Sequence, residues 1–316
     1  MVNISLADFS HKKELTELWI EAFGDDEKFI SSFLNAYMIP EYNVPVVSEG
    51  GKIISALYLI DFPIYSSRNN LGDCAYLFAA ATNKNYRNKG YMSRLISYSA
   101  ELCKNRGLKA IFLFPQNKEL FEYYKKFGFK TIYAAKKIIV GQRPASAAPL
   151  GEPEFRLVEK DITDVKVFDG LYDSYTEFTA KQELAPMKDR LFYFKCASSY
   201  IDTPNAHFAV FEKINKIHEK NAENTYNVEK FCYVFYKKYK NTYYIDDIIL
   251  SEYADMLADF ILNSDENAKL EMNVLPETFT DSQNVPLAML LPLSDEIKNI
   301  TAHLKSPVYI NMFMNI

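Results

Sequence analysis

The residues best suited to chemistry lie in one stretch, YLFAAATNKNYRNKGYMSRLISYSAELCKNRG, residues 76–107. Arg87 and Gly90 stand in Arg-x-x-Gly spacing with Lys89 between them. An apolar run precedes this tetrad. A helical pattern follows it, with Met92, Leu95, Ile96, Ala100 and Cys103 on one face. A helix opening at Gly90 has first N–H groups without intrahelical partners, and its dipole adds partial positive charge there. Gly90 has no Cβ, so an anion can approach the backbone closely. Arg87 and Lys89 add full charges. This is the chemistry of a diphosphate cradle. The same residues also suit a plain strand–helix loop with solvated basic side chains. Neither Gly-x4-Gly-Lys-[Ser/Thr] nor Gly-x-Gly-x-x-Gly occurs, so the cradle is neither the nucleotide P-loop nor a dinucleotide fingerprint.

Other chemistries are disfavoured. His11, His207, His218 and His303 show neither His-x-x-x-His nor His-Glu-x-x-His spacing, and Cys74, Cys103, Cys196 and Cys232 form no Cys-x-x-Cys pair. No metal site and no disulfide framework are expected; the thiols read as apolar interior residues. A Gly-x-Ser-x-Gly elbow is absent, which argues against a serine hydrolase. The net charge of −5 argues against a general nucleic-acid coat. Lys237, Lys238 and Lys240 flank Tyr239 and read as a solvated strand end or turn. With no basic head before an apolar run and no apolar run near 20 residues, neither a secretory signal nor a membrane span is expected, which suggests a cytoplasmic protein.

The elements that must position the loop follow from periodicity. Strands are expected at 2–6, 44–48, 52–60, 71–82, 109–115 and 129–140, and helices at 11–23, 26–38, 90–105 and 119–127. Residues 74–81 are too apolar to have one face in water, so that strand is buried on both faces. The overall class is α/β with a mixed, α+β type sheet. Residues 141–153, GQRPASAAPLGEP, form the best linker in the chain and divide a domain at 1–140 from one at 154–316. The second half repeats strand and helix signals: strands at 155–158, 207–213, 231–239, 243–250, 269–275 and 287–293, and helices near 162–179, 186–200 and 253–263. Residues 215–227 read as a polar insertion, and 307–316, PVYINMFMNI, alternate like a strand.

Arg87-Asn88-Lys89-Gly90-Tyr91-Met92 resembles the [Arg/Gln]-x-x-Gly-x-[Gly/Ala] motif of the GNAT N-acetyltransferase superfamily, and Tyr124-Lys125-Lys126-Phe127-Gly128-Phe129 resembles its Tyr-x-x-x-Gly-Phe. Met92 departs from the small residue usual there. Residues 151–316 lack the phosphate motif. The chain is thus similar to the enhanced-intracellular-survival type, with tandem GNAT-like domains, the N-terminal half complete and the C-terminal half degenerate.

That resemblance implies direct transfer of an acetyl group from acetyl-CoA to an amine, a small molecule or a peptide, in a ternary complex, without metal, nucleic acid or membrane, and with oligomeric state unassigned. The degenerate half would shape the acceptor site. A splayed strand pair, Leu77–Thr82 beside Ile111–Phe114, would hold the pantetheine through Phe78, Ala79, Ala80, Ala81 and Thr82, with N–H groups near Phe78–Ala80 polarising the thioester carbonyl. Arg87, Asn88, Lys89, Gly90, Tyr91, Met92 and Ser93 would hold the diphosphate. Tyr124 would protonate the leaving thiolate, with Tyr123 as its rival; Tyr124 also suits plain helix packing. Asn117 would bond the coenzyme's amide or cap its helix. The carboxylate of Ile316, with Glu27, Asp61 and Asp73, is a candidate base for an ammonium of ordinary pKa ~10.4. Two rival readings share these residues: a coenzyme-A-binding sensor or scaffold without catalysis, and a tandem-GNAT aminoacyl transferase, which the acidity of the chain disfavours.

Overall fold

The computed structural model describes residues 2–140, 154–201, 203–217, 225–249, 254–264, 267–274, 284–305, 307, 308 and 310. In chain order the elements are β1 (Val2–Leu6), α1 (Lys12–Phe23), α2 (Glu27–Tyr37), β2 (Pro45–Glu49), β3 (Lys52–Ser66), β4 (Asn69–Thr82), α3 (Tyr91–Asn105), β5 (Ala110–Leu113), α4 (Lys118–Lys125) and β6 (Lys130–Val140), followed by β7 (Glu154–Glu159), α5 (Val165–Lys181), β8 (Ala185–Pro186), α6 (Arg190–Ser198), β9 (Ala206–Ile217), β10 (Thr225–Tyr239), β11 (Thr242–Ile249), α7 (Ala254–Ser264), β12 (Lys269–Val274), β13 (Asn284–Pro292) and α8 (Asp295–His303). They form two compact units. The first holds Met1–Ile64, Asn70–Ile132 and Ala288–Lys305; the second holds Tyr65–Asn69, Tyr133–Leu287 and Ser306–Ile316.

In the first unit the strand order is β1-β2-β3-β4-β5-β13. β1 and β2 are antiparallel from Val2 opposite Glu49 to Leu6 opposite Pro45. β4 and β5 are the parallel pair, Ala75 opposite Ile111 and Tyr76 opposite Phe112. The helices end where their sequences say they should. Gly24 closes α1 in the left-handed conformation, φ +76°, and its N–H donates to the Ile20 carbonyl. The Asp26 carboxylate caps α2 by accepting from the N–H groups of Lys28 and Phe29. The inner faces of α3 and α4, through Leu95, Ile96, Cys103 and Tyr124, pack on Leu57, Leu59, Ala75, Leu77, Ile111 and Leu113 of the sheet.

Three features of this unit depart from expectation. The strand at 52–60 runs on to Ser66, because Ser67 and Arg68 both take left-handed φ values, +47° and +70°, and make a two-residue hairpin turn into β4. Second, the stretch after residue 293, for which the sequence predicts no element before 307, opens with a helix: Ser294 caps α8 by accepting from Ile297 N–H, and Asp295 and Glu296 suit its positive end. Third, the division at 140 and 154 follows the chain, whereas the units do not. Met289 to Pro292 pair antiparallel with Leu113 to Ala110, so Ala288–Lys305 folds with the N-terminal elements.

The second unit orders its strands β6-β12-β11-β10-β9-β7. β12 is antiparallel to β6 and parallel to β11; the rest of the sheet is antiparallel. Its core packs Leu257, Ala258, Ile261 and Leu262 of α7 on Phe211, Cys232, Val234, Leu270 and Met272. At the two ends of the expected polar insertion at 215–227 the chain is strand, with Ile217 opposite Thr225 and Asn215 opposite Asn227; residues 218–224 lie outside the described residues. The expected linker at 141–153 lies outside the described residues. Of the C-terminal strand, Val308 bridges Tyr133 in parallel, and its carbonyl accepts from Ala134 N–H. All four cysteines are buried, and burial pushes the Cys103 and Cys196 thiols up to about 12. Among the described residues no helix is long and apolar enough to cross a membrane.

One buried polar side chain of this second unit, among residues of α5 and α6, stands out. Lys188 is 2% exposed, with Nζ 5.1 and 5.8 Å from the ring centres of Tyr175 and Tyr193, which stack 4.3 Å apart. Burial holds its amine down to about 8, against the opposing pull of Cys196 and Asp247. An unfolded lysine titrates near 10.4. Folding therefore carries a penalty for the protonated amine that is complete below pH 8 and vanishes as pH rises through 10.4. Urea denaturation of the wild type and Lys188→Met, followed by circular dichroism, should show the wild type gaining ~3 kcal/mol relative to the variant between pH 8 and 10.5. A pH-independent difference contradicts the buried ammonium.

Candidate active site

The site is built where β4 leaves its neighbour. β5 ends at Leu113, one residue past the Tyr76–Phe112 pair, while β4 continues to Thr82. The residues beyond the pair are Leu77 and Ala81, which are buried, and Phe78, Ala79, Ala80 and Thr82, which are half-buried. Ala79 sits at φ +45°, a conformation that costs an L-residue about 1–2 kcal/mol. The reversal redirects the peptide groups on either side of it. The far end of β4 is held on its other side by Ser55, whose hydroxyl donates to the Ala81 carbonyl at 2.9 Å and lies 2.8 Å from Thr82 Oγ1. Asn83 N–H donates to the Ile54 carbonyl at 2.9 Å. A firmly held strand with one kinked, unmatched edge thus faces the end of β5.

The loop that follows is fixed by α1. Glu21 accepts from Asn83 Nδ2 and from Lys84 N–H, each at 2.7 Å. Asn83 in turn caps a single 3-10 turn at Lys84–Tyr86. Arg87 Nε donates to the Thr82 carbonyl at 3.1 Å while the residue remains exposed. Asn88 at φ +62° and Gly90 at φ +78° turn the chain sharply into α3. Gly90 is the N-cap residue, so no side chain satisfies the first N–H groups of α3. No acidic residue stands in that first turn either. Arg87, Asn88, Lys89 and Gly90 are exposed, and Tyr91, Met92 and Ser93 half-buried. A Cβ on Gly90 would meet nothing within 4 Å, which leaves room for a ligand at the mouth of the helix. A fifteen-residue helix dipole, open amides and two cations are what the binding of an anion needs.

The model of the GNAT acetyltransferase domain family matches residues 3–132, which contain this strand, loop and helix. The N-terminal region is thus similar to a GNAT acetyltransferase domain. No curated protein matches the sequence. Among solved structures, the fold is similar to a probable N-acyltransferase of unknown function from Enterococcus faecalis, with 14% identity, TM-score 0.70, and 93% of this chain and 73% of that chain covered. It is also similar to Eis1 from Mycobacterium abscessus, with 13% identity, TM-score 0.66 and coverage of 93% and 75%. A GCN5-related N-acetyltransferase from Anabaena variabilis gives 13%, 0.66, 93% and 73%. The likeness spans the second sheet region as well as residues 3–132, and it is a likeness of fold.

Within the GNAT domain, α4 carries the tyrosines. Tyr124 is buried on its inner face, with ring centres 5.4 Å from Tyr123 and 5.7 Å from Phe129. Burial pushes its phenol up to about 12, helped by Tyr123. Tyr123 is half-buried, its hydroxyl 3.1 Å from Ser93 Oγ. Asn117 is the cap of α4: its side-chain oxygen accepts from Leu120 N–H at 2.9 Å. Met92 packs at the edge of the core formed by β4, β5 and α3, where a larger residue than glycine or alanine adds apolar contact.

The candidate bases are dispersed. Asp61 pairs with Arg106 at the far end of α3, about 24 Å from Gly90 by helical rise. Burial raises its carboxyl and the Arg106 guanidinium opposes this. Asp73 is exposed and lies about 20 Å from Ala79 along β4. Glu27 is exposed in the first turn of α2. Ile316 lies outside the described residues.

Three site features escaped the sequence reading. Ala79's reversal has only a faint signal, a run of three alanines in a strand of large residues. Glu21 clamps the loop from more than sixty residues away. Phe78, beside the reversal, enters an aromatic cluster under α1 and α2, with ring centres 5.7 Å from Trp19, 5.2 Å from Phe33 and 5.2 Å from Tyr76. The Trp19 indole N–H donates to Asp25 at 2.7 Å.

Proposed function

We propose that the protein transfers an acetyl group from acetyl-CoA to an amine by direct attack in a ternary complex. The observation that carries this reading is the uncapped start of α3, entered through left-handed Asn88 and Gly90 and flanked by exposed Arg87 and Lys89. Arg87 and the amides from Asn88 through Ser93 hold the diphosphate. The pantetheine lies along the unmatched edge of β4 past Tyr76. An N–H near Ala79 donates to the thioester carbonyl and stabilises the oxyanion as it forms. The neutral amine nitrogen bonds to the acetyl carbon, the tetrahedral intermediate collapses, the carbon–sulfur bond breaks, and Tyr124 gives its proton to the departing thiolate; the proton lost from nitrogen passes to solvent, which reprotonates the Tyr124 phenolate. Half-buried Phe78, next to Ala79, lies beside the reacting carbonyl and favours an acceptor that presents apolar or ring surface next to its amine.

Incubation with acetyl-CoA and a mixed panel of aminoglycosides, polyamines and peptides, followed by mass spectrometry, tests the reading. The expected result is an acetylated amine together with free coenzyme A. Tight coenzyme binding with no acetylated product across the panel supports the sensor alternative instead. Absence of coenzyme binding rejects both.

A further inference from the structure

The hydroxyl contact between Tyr123 and Ser93 joins the two parts of the GNAT domain that the proposed reaction uses separately. Ser93 is the third residue of α3, among those whose N–H groups have no intrahelical acceptor. Side chains on a helix lean toward its N-terminus, so the Ser93 hydroxyl lies on the side where an anion would sit. Its Oγ is 3.1 Å from the Tyr123 hydroxyl oxygen. Tyr123 comes from α4, a helix started by the Asn117 cap, and its ring packs on Phe127 with centres 5.2 Å apart. The ring position is therefore set by α4, and the hydroxyl reaches across to the mouth of α3.

A serine hydroxyl has one proton to donate and two lone pairs to accept with. A phenol is the better donor of the two, so the favourable arrangement has Tyr123 donating to Ser93 Oγ. The Ser93 proton is then left to point elsewhere, and a phosphate oxygen at the helix mouth is the strongest acceptor offered. We infer that Tyr123 is a positioning residue for coenzyme recognition: its hydroxyl orients Ser93 as a donor to the diphosphate, and it takes no part in proton transfer to sulfur. This rests on the proposed acetyl-CoA reading and assigns a separate role to the tyrosine next to the acid.

The test compares two acetyl donors, acetyl-CoA and S-acetylpantetheine, which carries the same thioester without the diphosphate. The readout is the ratio of kcat/KM for the first to that for the second. Tyr123→Phe keeps the ring and removes the hydroxyl. The ratio should fall roughly three- to tenfold, the worth of one hydrogen bond, and the fall should appear in KM for acetyl-CoA. Ser93→Ala removes the same bond from the other side and should lower the ratio at least as far, and Tyr123→Phe added to it should lower the ratio no further. A packing role for Tyr123 would slow both donors alike and leave the ratio unchanged; so would a role as the acid, with a much larger loss in kcat. Either result overturns the inference. A wild-type protein that binds no coenzyme A in calorimetry overturns the acetyl-CoA reading itself, a failure distinct from an unchanged ratio in an active enzyme.

Discussion

Arg87→Ala combined with Gly90→Asp should weaken acetyl-CoA binding by more than about a hundredfold, measured by calorimetry against the wild type. Two effects combine. The exposed guanidinium of Arg87 is anchored through Nε on the Thr82 carbonyl, which leaves its other N–H groups for an anion, and a hydrogen bond to a charged partner is worth about 1.5–3 kcal/mol. Gly90 is the N-cap of α3 at φ +78°, and a new Cβ there meets nothing within 4 Å. Aspartate tolerates the left-handed region better than most residues and is a good N-cap, so the helix should still form. Its carboxylate, however, would occupy the amides and carry negative charge into the diphosphate's place. Repulsion and lost contacts together exceed about 3 kcal/mol, which is over a hundredfold in affinity. Gly90→Ala alone separates the terms, since it adds the strain without the charge and should cost far less. Wild-type affinity in the double variant would remove the cradle from the proposed reaction.

The loop and the start of α3 were legible because their ingredients are local. Helix periodicity from Met92 to Cys103, a glycine at the start, and flanking cations are all sequence neighbours, and the backbone there does what those residues prefer. The same holds for Gly24 after α1 and Asp26 before α2. The failures are non-local or chemically atypical. Ser67 and Arg68 form a hairpin turn that asparagine and glycine usually make, so nothing in their types announced it or the continuation of β3 to Ser66. The pairing of Met289 to Pro292 with β5 joins residues some 180 apart in the chain, and no periodicity encodes a partner. Ala79's reversal is of the same kind. Alanine has no preference for positive φ, so the surrounding strand must impose it, through contacts such as those of Ser55 with Ala81 and Thr82. Strain of this sort is concentrated where backbone must point at a ligand. The pairing of Asp61 is non-local too: its partner Arg106 follows the end of α3, a placement that the sequence does not disclose.

Tyr124→Phe should lower kcat by roughly a hundredfold or more while coenzyme affinity stays close to wild type, as expected for loss of a positioned general acid. The substitution keeps the ring that packs against Tyr123 and Phe129, so α4 should hold its place. The objection is energetic: burial lifts the Tyr124 phenol to about 12, well above an ordinary thiol. The same desolvation acts on any anion formed beside it. Desolvation therefore also raises the basicity of a thiolate released next to Tyr124, which narrows the gap between proton donor and acceptor. The pH dependence follows with a definite sign. The protonated phenol is the donor, and it is lost only as pH rises through about 12, so the wild-type kcat should show no alkaline fall below about pH 11. An acid titrating near 8 or 9 in the kcat profile, or a Tyr124→Phe enzyme with unreduced kcat, rules Tyr124 out. The ratio test on Tyr123 then becomes decisive, because a Tyr123→Phe variant that loses kcat with both acetyl donors would make that residue the acid in its place.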